Sequence, residues 1–83
     1  MGYFAVIDTE TNWEDRVMSI GTVIADTDTF RPIAAKYHIL PEECAIGGMF
    51  CDALFLDTPV KPILCTREEA MADLSRWLGR YDV

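Results

Sequence analysis

Apolar runs and short polar breaks follow one another along the chain in an order that predicts three strands and then a helix. Tyr3 to Ile7 is an unbroken apolar stretch of aromatic and branched residues that gives way abruptly to Asp8-Thr9-Glu10-Thr11. Such a run predicts a strand over about 3–8 that is covered on both faces, and strands of that kind belong in the middle of a sheet. Asn12 to Asp15 predicts a turn. Val17, Ile20, Val23 and Ile24 around Gly21 predict a second strand over 16–26, and the short link makes the pair antiparallel. Asp26-Thr27-Asp28-Thr29 predicts a turn capped by its own side chains. A third strand is expected over 32–40, with Pro32 confined to an edge or a bulge because it lacks an N–H to donate.

From Pro41 to Cys65 the pattern weakens. Gly47-Gly48, Pro59 and Pro62 punctuate an apolar patch from Met49 to Leu56, which reads as a long connection with room for one helical turn. The final element is a helix over about 67–79. Thr66 can cap it and Glu69 completes a capping box, while Ala70, Met71, Leu74, Trp77 and Leu78 recur at helical spacing. Gly79 can end it, and Arg76 and Arg80 suit the negative end of its dipole. The apolar stripe is expected to be core packing. The fold class is therefore α/β: a three-stranded antiparallel meander followed by an amphipathic helix.

At 83 residues the chain has room for one core and no second domain. Its net charge of -7 argues against unaided binding to a phosphate backbone, because that affinity comes from Lys and Arg displacing counterions. The same balance suits a site that gathers divalent cations on carboxylate oxygens. Cys44, Cys51 and Cys65 match no zinc spacing and are expected to be ordinary thiols, and His38 completes no ligand set with them. No apolar stretch is long enough to span a bilayer and no basic region precedes a leader-like apolar segment, so no membrane is expected and the reducing cytoplasm is the default address.

Residues two apart in a strand point to the same side, so Asp8 and Glu10 project together while Thr9 faces the other way. Adjacent carboxylates repel, and a shared proton, an arginine or a divalent cation relieves that. Arg16, across the hairpin turn, is a candidate arginine. An Asp-x-Glu tripeptide at a strand end is by itself commonly just solvated.

The stretch Phe4-Ala5-Val6-Ile7-Asp8-Thr9-Glu10-Thr11, followed by a turn and a strand carrying Ile20-Gly21, resembles the first motif and second strand of the DEDD superfamily of 3'-5' exonucleases. The resemblance is fairly specific over Phe4 to Asp26 and loose beyond, where the remaining elements follow the family's ribonuclease H-like order. Asn12-Trp13 departs from the Thr-Gly of many members. The resemblance implies that Asp8 and Glu10 are catalytic carboxylates binding two Mg2+ or Mn2+ ions. It places Thr9 and Thr11 among substrate contacts and makes the 3' end of single-stranded DNA or RNA the substrate.

The family's second and third motifs, which supply further aspartates and a His or Tyr that orients the attacking water, are not found in these residues. His38 comes too early to be that base and reads as an ordinary strand residue. Asp52, Asp57 and Asp82 sit in no motif context. The expectation is thus an N-terminal portion of a truncated ribonuclease H-like domain, inactive alone, whose open first strand pairs with a second copy in a homodimer or belongs to a longer protein. The other readings are a non-catalytic self-associating module and an acidic metal-binding protein unrelated to nucleases.

Overall fold

The computed structural model describes residues 2–49 and 59–83. Most of the apolar patch predicted over Met49 to Leu56, with Cys51, Asp52 and Asp57, lies outside the described residues. The order is β1 (Tyr3–Thr11), β2 (Val17–Asp26), β3 (Pro32–Ile39), α1 (Pro41–Cys44), β4 (Ile63–Leu64) and α2 (Arg67–Gly79). The mixed α/β class and the predicted meander are present. The sheet has four strands in the order β1-β2-β3-β4, and β4 runs parallel to β3 through His38 opposite Ile63 and Ile39 opposite Leu64. Two residues directly after Pro62 carry no readable period, which is why the sequence shows no β4.

β1 departs from expectation in two ways. It does not stop near Asp8 but runs to Thr11, because backbone pairing to β2 continues regardless of side-chain polarity, with Asp8 opposite Gly21 and Glu10 opposite Ser19. Nor is it covered on both faces, although its outer edge is open among the described residues, as expected. β2 is its sole neighbour among the described residues, and Val6 and Ile7 are 55% and 52% exposed. A continuous apolar run describes the residues a strand could bury, whereas its position in the sheet depends on which other strands reach it.

Local chemistry shapes both hairpins. The β1–β2 register shifts between Glu10 and Thr11, with Met18 as the extra residue on β2. The turn beyond is organised by Asn12. Its Oδ1 accepts from the backbone N–H groups of Glu14 at 2.9 Å and Arg16 at 3.1 Å, and its Nδ2 donates to the Glu43 carbonyl at 3.0 Å. In the second turn Asp26 Oδ1 accepts from the N–H groups of Asp28 and Thr29, as the polar stretch predicted. Pro32 enters β3 beside a second register shift, between Ile24 and Ala25, so the predicted bulge is where it falls.

α2 begins with the expected capping box between Thr66 and Glu69 and lays Ala70, Leu74 and Trp77 on Ile20, Ile24 and Leu40. Met71, assigned to the same stripe from its spacing, is 47% exposed. The helix does not end on a left-handed glycine: Arg80 stays right-handed, and the positive φ of 60° comes later, at Asp82. Trp77, Tyr81 and Tyr3 form an edge-to-face chain with centroid spacings of 5.8 and 5.4 Å, tying the end of α2 to the start of β1. On the other face of the sheet Met18 and Ile39 make a second small cluster with Tyr37 and Cys44. Among the described residues no helix is long and apolar enough to cross a membrane.

The second cluster rests on Gly48. A Cβ there would stand 3.0 Å from both the Asn12 Cα and the Thr11 carbonyl oxygen, and 3.2 Å from the Met18 Cε. Two of those neighbours are backbone and cannot swing aside. Gly48→Ala is therefore expected to cost about 1–3 kcal/mol, as overpacking generally does. Urea denaturation checks this, with Gly21→Ala as a milder comparison, because a Cβ at Gly21 would meet nothing nearer than the Asp8 carbonyl oxygen at 3.9 Å.

Candidate functional site

α2 covers one face of the sheet, the Met18 and Ile39 cluster lies on the other, and β1 divides its residues between the two faces. Ile7 and Thr9 line a groove against α2, so by strand alternation Asp8 and Glu10 project from the opposite face. Asp8 is exposed and Glu10 half-buried. The row across the sheet through Asp8 continues to Gly21 and Tyr37, and the row through Glu10 continues to Ser19 and Ile39. Gly21 adds no side chain between Asp8 and the Tyr37 ring. Burial pushes the Tyr37 hydroxyl up, a hydrogen bond with Ser19 opposes the shift, and the charges of Cys44 and Glu10 add to it.

Beside Glu10 lies a cleft of about 240 Å³ lined by Thr9, Thr11, Asn12, Trp13, Asp15 and Met49. Thr9 and Thr11 thus reach the rim of this cleft, although the Thr9 side chain alternates onto the α2 face, while Trp13 offers an indole that is 66% exposed. Asp8 and Glu10 form no ion pair among the described residues. Arg16, the candidate partner from sequence, is engaged elsewhere: its Nε donates to Glu43 Oε2 at 2.6 Å, and this bond raises the guanidinium pKa further. Arg67 Nη2 donates to the same oxygen at 2.8 Å. Glu43 is buried, so two arginines that are themselves half-exposed gather on it and join the first turn, α1 and the start of α2. A hairpin arginine can reach any acid its fold brings near, and sequence proximity to Asp8 did not decide the choice.

Sequence reasoning also missed a second charged group. His38, read as an ordinary strand residue, is fully buried on the α2 side of the sheet, and its Nε2 lies 2.8 Å from Asp73 Oδ2. Lys36 Nζ donates to both Asp73 oxygens at 2.9 Å and stands 5.4 Å from the centroid of the Trp77 ring. The hydrogen bonds from Lys36 and then His38 hold the Asp73 carboxyl down at about 2. An ionised carboxylate only accepts, so His38 Nε2 carries the hydrogen of that contact. His38 Nδ1 and Thr22 Oγ1 are buried without a hydrogen-bond partner among the described residues. The signal for the cluster was legible in one respect. Asp73 falls between Ala70 and Trp77 on the apolar face of α2, and an acid there calls for cationic partners, which Lys36 and His38 supply from one face of β3.

Of the three thiols, Cys51 lies outside the described residues. Cys44 Sγ donates to the Met18 carbonyl at 3.8 Å, Cys65 Sγ to the Ile63 carbonyl at 3.6 Å, and burial pushes the Cys65 thiol up. No group of three or more His, Cys, Asp or Glu side chains among the described residues could hold a metal ion. Among the described residues Asp8 and Glu10 therefore offer two carboxylates without a third protein ligand. That set fits Mg2+ or Mn2+, which take hard oxygen donors and are often held by one or two carboxylates with water or phosphate oxygens completing the shell.

The architecture defines a mixed α/β protein with a four-stranded sheet and a C-terminal helix on one face. No family model, curated protein or solved structure matches the chain.

Proposed function

We propose that these residues form the motif-bearing first part of a metal-dependent 3'-5' exonuclease domain of ribonuclease H-like fold, acting on the 3' end of single-stranded DNA or RNA. The observation that carries this reading is the placement of Asp8 and Glu10. They project from the same face of one strand, next to a cleft, with no arginine or lysine paired to either among the described residues. In this reading Asp8 and Glu10 hold Mg2+ or Mn2+, and the ion supplies charge stabilisation to a phosphate and an activated water when bound. Thr9 and Thr11 border the place where a 3' nucleotide would lie.

The residues described do not complete the chemistry. His38 is on the far side of the sheet and committed to Asp73, so it cannot orient a water at Asp8. Two carboxylates alone leave the attacking water unpositioned and the transition-state charge only partly matched. The 83-residue chain is accordingly expected to bind Mn2+ weakly and to release no nucleotides by itself.

The test is a Mn2+ titration followed by NMR line broadening, with a labelled single-stranded oligonucleotide assayed in parallel. The expected result is broadening centred on Asp8 and Glu10 at about millimolar Mn2+, reduced at least tenfold in Asp8→Asn. Broadening elsewhere, or none at these residues, overturns the metal assignment. Metal-dependent nucleotide release abolished by Asp8→Asn would overturn the expected inactivity while supporting the site.

A further inference from the structure

Trp13 belongs to neither core cluster, and its indole is 66% exposed although the backbone that carries it is firmly held. Its N–H donates to the Gly47 carbonyl at 2.9 Å, and Asn12, buried beside it, fixes the turn with three side-chain hydrogen bonds. Gly47, at a φ of 91°, brings the chain against the pyrrole edge: a Cβ there would stand 3.6 and 3.7 Å from the indole Cδ1 and Nε1. The ring is thus backed along one edge and largely open to solvent. It lines the cleft of about 240 Å³ beside Glu10, together with Met49, which is 70% exposed.

We propose that this cleft is a stacking site for the base of a single-stranded nucleotide, with the Trp13 indole as its platform. The chemistry of the lining selects such a ligand. Glu10 and Asp15 are acids, and no lysine or arginine lines the cleft, so a bare phosphate is repelled. An uncharged planar ring is not repelled, and an indole stacks on any base because every base has a π-face. The net charge of -7 points the same way. With few cations to attract phosphates, affinity for nucleic acid has to come from base faces and from phosphates bridged by a metal ion.

Asn12-Trp13 stands where many DEDD exonucleases have Thr-Gly, so the resemblance itself gives this ring no role. A base on Trp13 lies beside the carboxylates that the exonuclease reading assigns to a metal, and as a substrate site the cleft rests on that reading. It adds a preference for single strands, since bases inside a duplex already stack on one another and offer no free face.

NMR of the 83-residue chain tests the proposal with two probes: adenosine, which carries a base and no phosphate, and a short oligodeoxyadenylate with Mg2+. The indole N–H of Trp13 is expected to shift progressively with either probe, while that of the buried Trp77 stays in place. Ribose alone should leave both unmoved. Trp13→Ala should weaken oligodeoxyadenylate binding at least about fivefold, and Trp13→Phe, which keeps a ring, by less. Both variants alter an exposed side chain, so the urea midpoint should stay near that of the natural chain. A Trp13 indole that adenosine leaves unmoved, a ribose shift as large as the adenosine shift, or oligodeoxyadenylate binding unaffected by Trp13→Ala would each overturn the proposal. The metal reading is judged separately, because Asp8→Asn should remove the Mn2+ broadening and leave the adenosine response intact. An unmoved indole alongside Mn2+ broadening at Asp8 and Glu10 defeats the stacking site alone, and the converse result defeats the metal site alone.

Discussion

Asp73→Ala is expected to lower folding stability by about 2–3 kcal/mol, read as a reduced urea midpoint with an unchanged slope. The carboxylate is the common acceptor for Lys36 and His38, and His38 is fully buried. Truncating it leaves an imidazole N–H without this acceptor inside the protein and removes the carboxylate paired with the Lys36 ammonium, which stays over Trp77 at the edge of the core. Removing one partner of a fully buried pair costs more than this, but the Asp73 side chain is 27% exposed, so water offsets part of the loss. Asp73→Asn, which keeps an acceptor oxygen for His38, should cost less.

The same residue fixes a pH dependence. Its carboxyl is held at about 2 in the folded chain, against an ordinary value of 3.8, by Lys36 and His38. The folded state therefore binds fewer protons than the unfolded one between these values. The stabilisation is complete above about pH 4 and drains away as pH falls towards 2. The difference in stability between the natural chain and Asp73→Ala should accordingly shrink across that window. A difference that stays constant down to pH 2 would mean that the carboxylate is not the source.

Trp77→Ala is expected to be the most damaging single change, at about 3–5 kcal/mol, which approaches the whole stability of a domain this small. Trp77 is 7% exposed, packs in the cluster of Ile20, Ile24, Leu40, Ala70 and Leu74, and contacts Tyr81 edge to face. It also supplies the ring beneath Lys36, so its loss removes both apolar burial and part of the setting of the Asp73 cluster. Nothing else in the described chain can fill the space under β2 and β3, because α2 is the sole helix packed on that face of the sheet. The check is tryptophan emission during thermal denaturation. The natural chain has a buried Trp77, whose emission should be blue-shifted, and an exposed Trp13, whereas Trp77→Ala should show water-exposed emission from Trp13 alone and no cooperative transition above about 25 °C.

Much of the local structure was legible because it is decided within a few residues. The capping box of Thr66 and Glu69 and the Asp26 turn depend on side chains bonding to nearby backbone, the Pro32 bulge depends on a missing N–H, and each is where the sequence put it. The same holds for the shared face of Asp8 and Glu10, which follows from the period of a strand. What could not be read were pairings between distant segments. Glu43 gathers Arg16 and Arg67 from positions 27 and 24 residues away, and Asp73 gathers His38 and Lys36 across 35 and 37 residues. Each acid in the sequence has many cations it could meet, and only packing selects among them.

β1 shows the division most clearly. Its residues alone determined that it is a strand, that its two carboxylates project together, and that Ile7 and Thr9 share the other face, because these depend only on backbone geometry and the alternation of side chains. Its place at the edge of the sheet, the exposure of Val6 and Ile7, and the absence of an arginine beside Asp8 were decided by the tertiary structure. The physical reason is that a strand's hydrogen bonds are satisfied by other segments of chain. Which segments arrive, and on which side, is settled by the packing of α2, the bulge at Met18 and the charge clusters around Glu43 and Asp73.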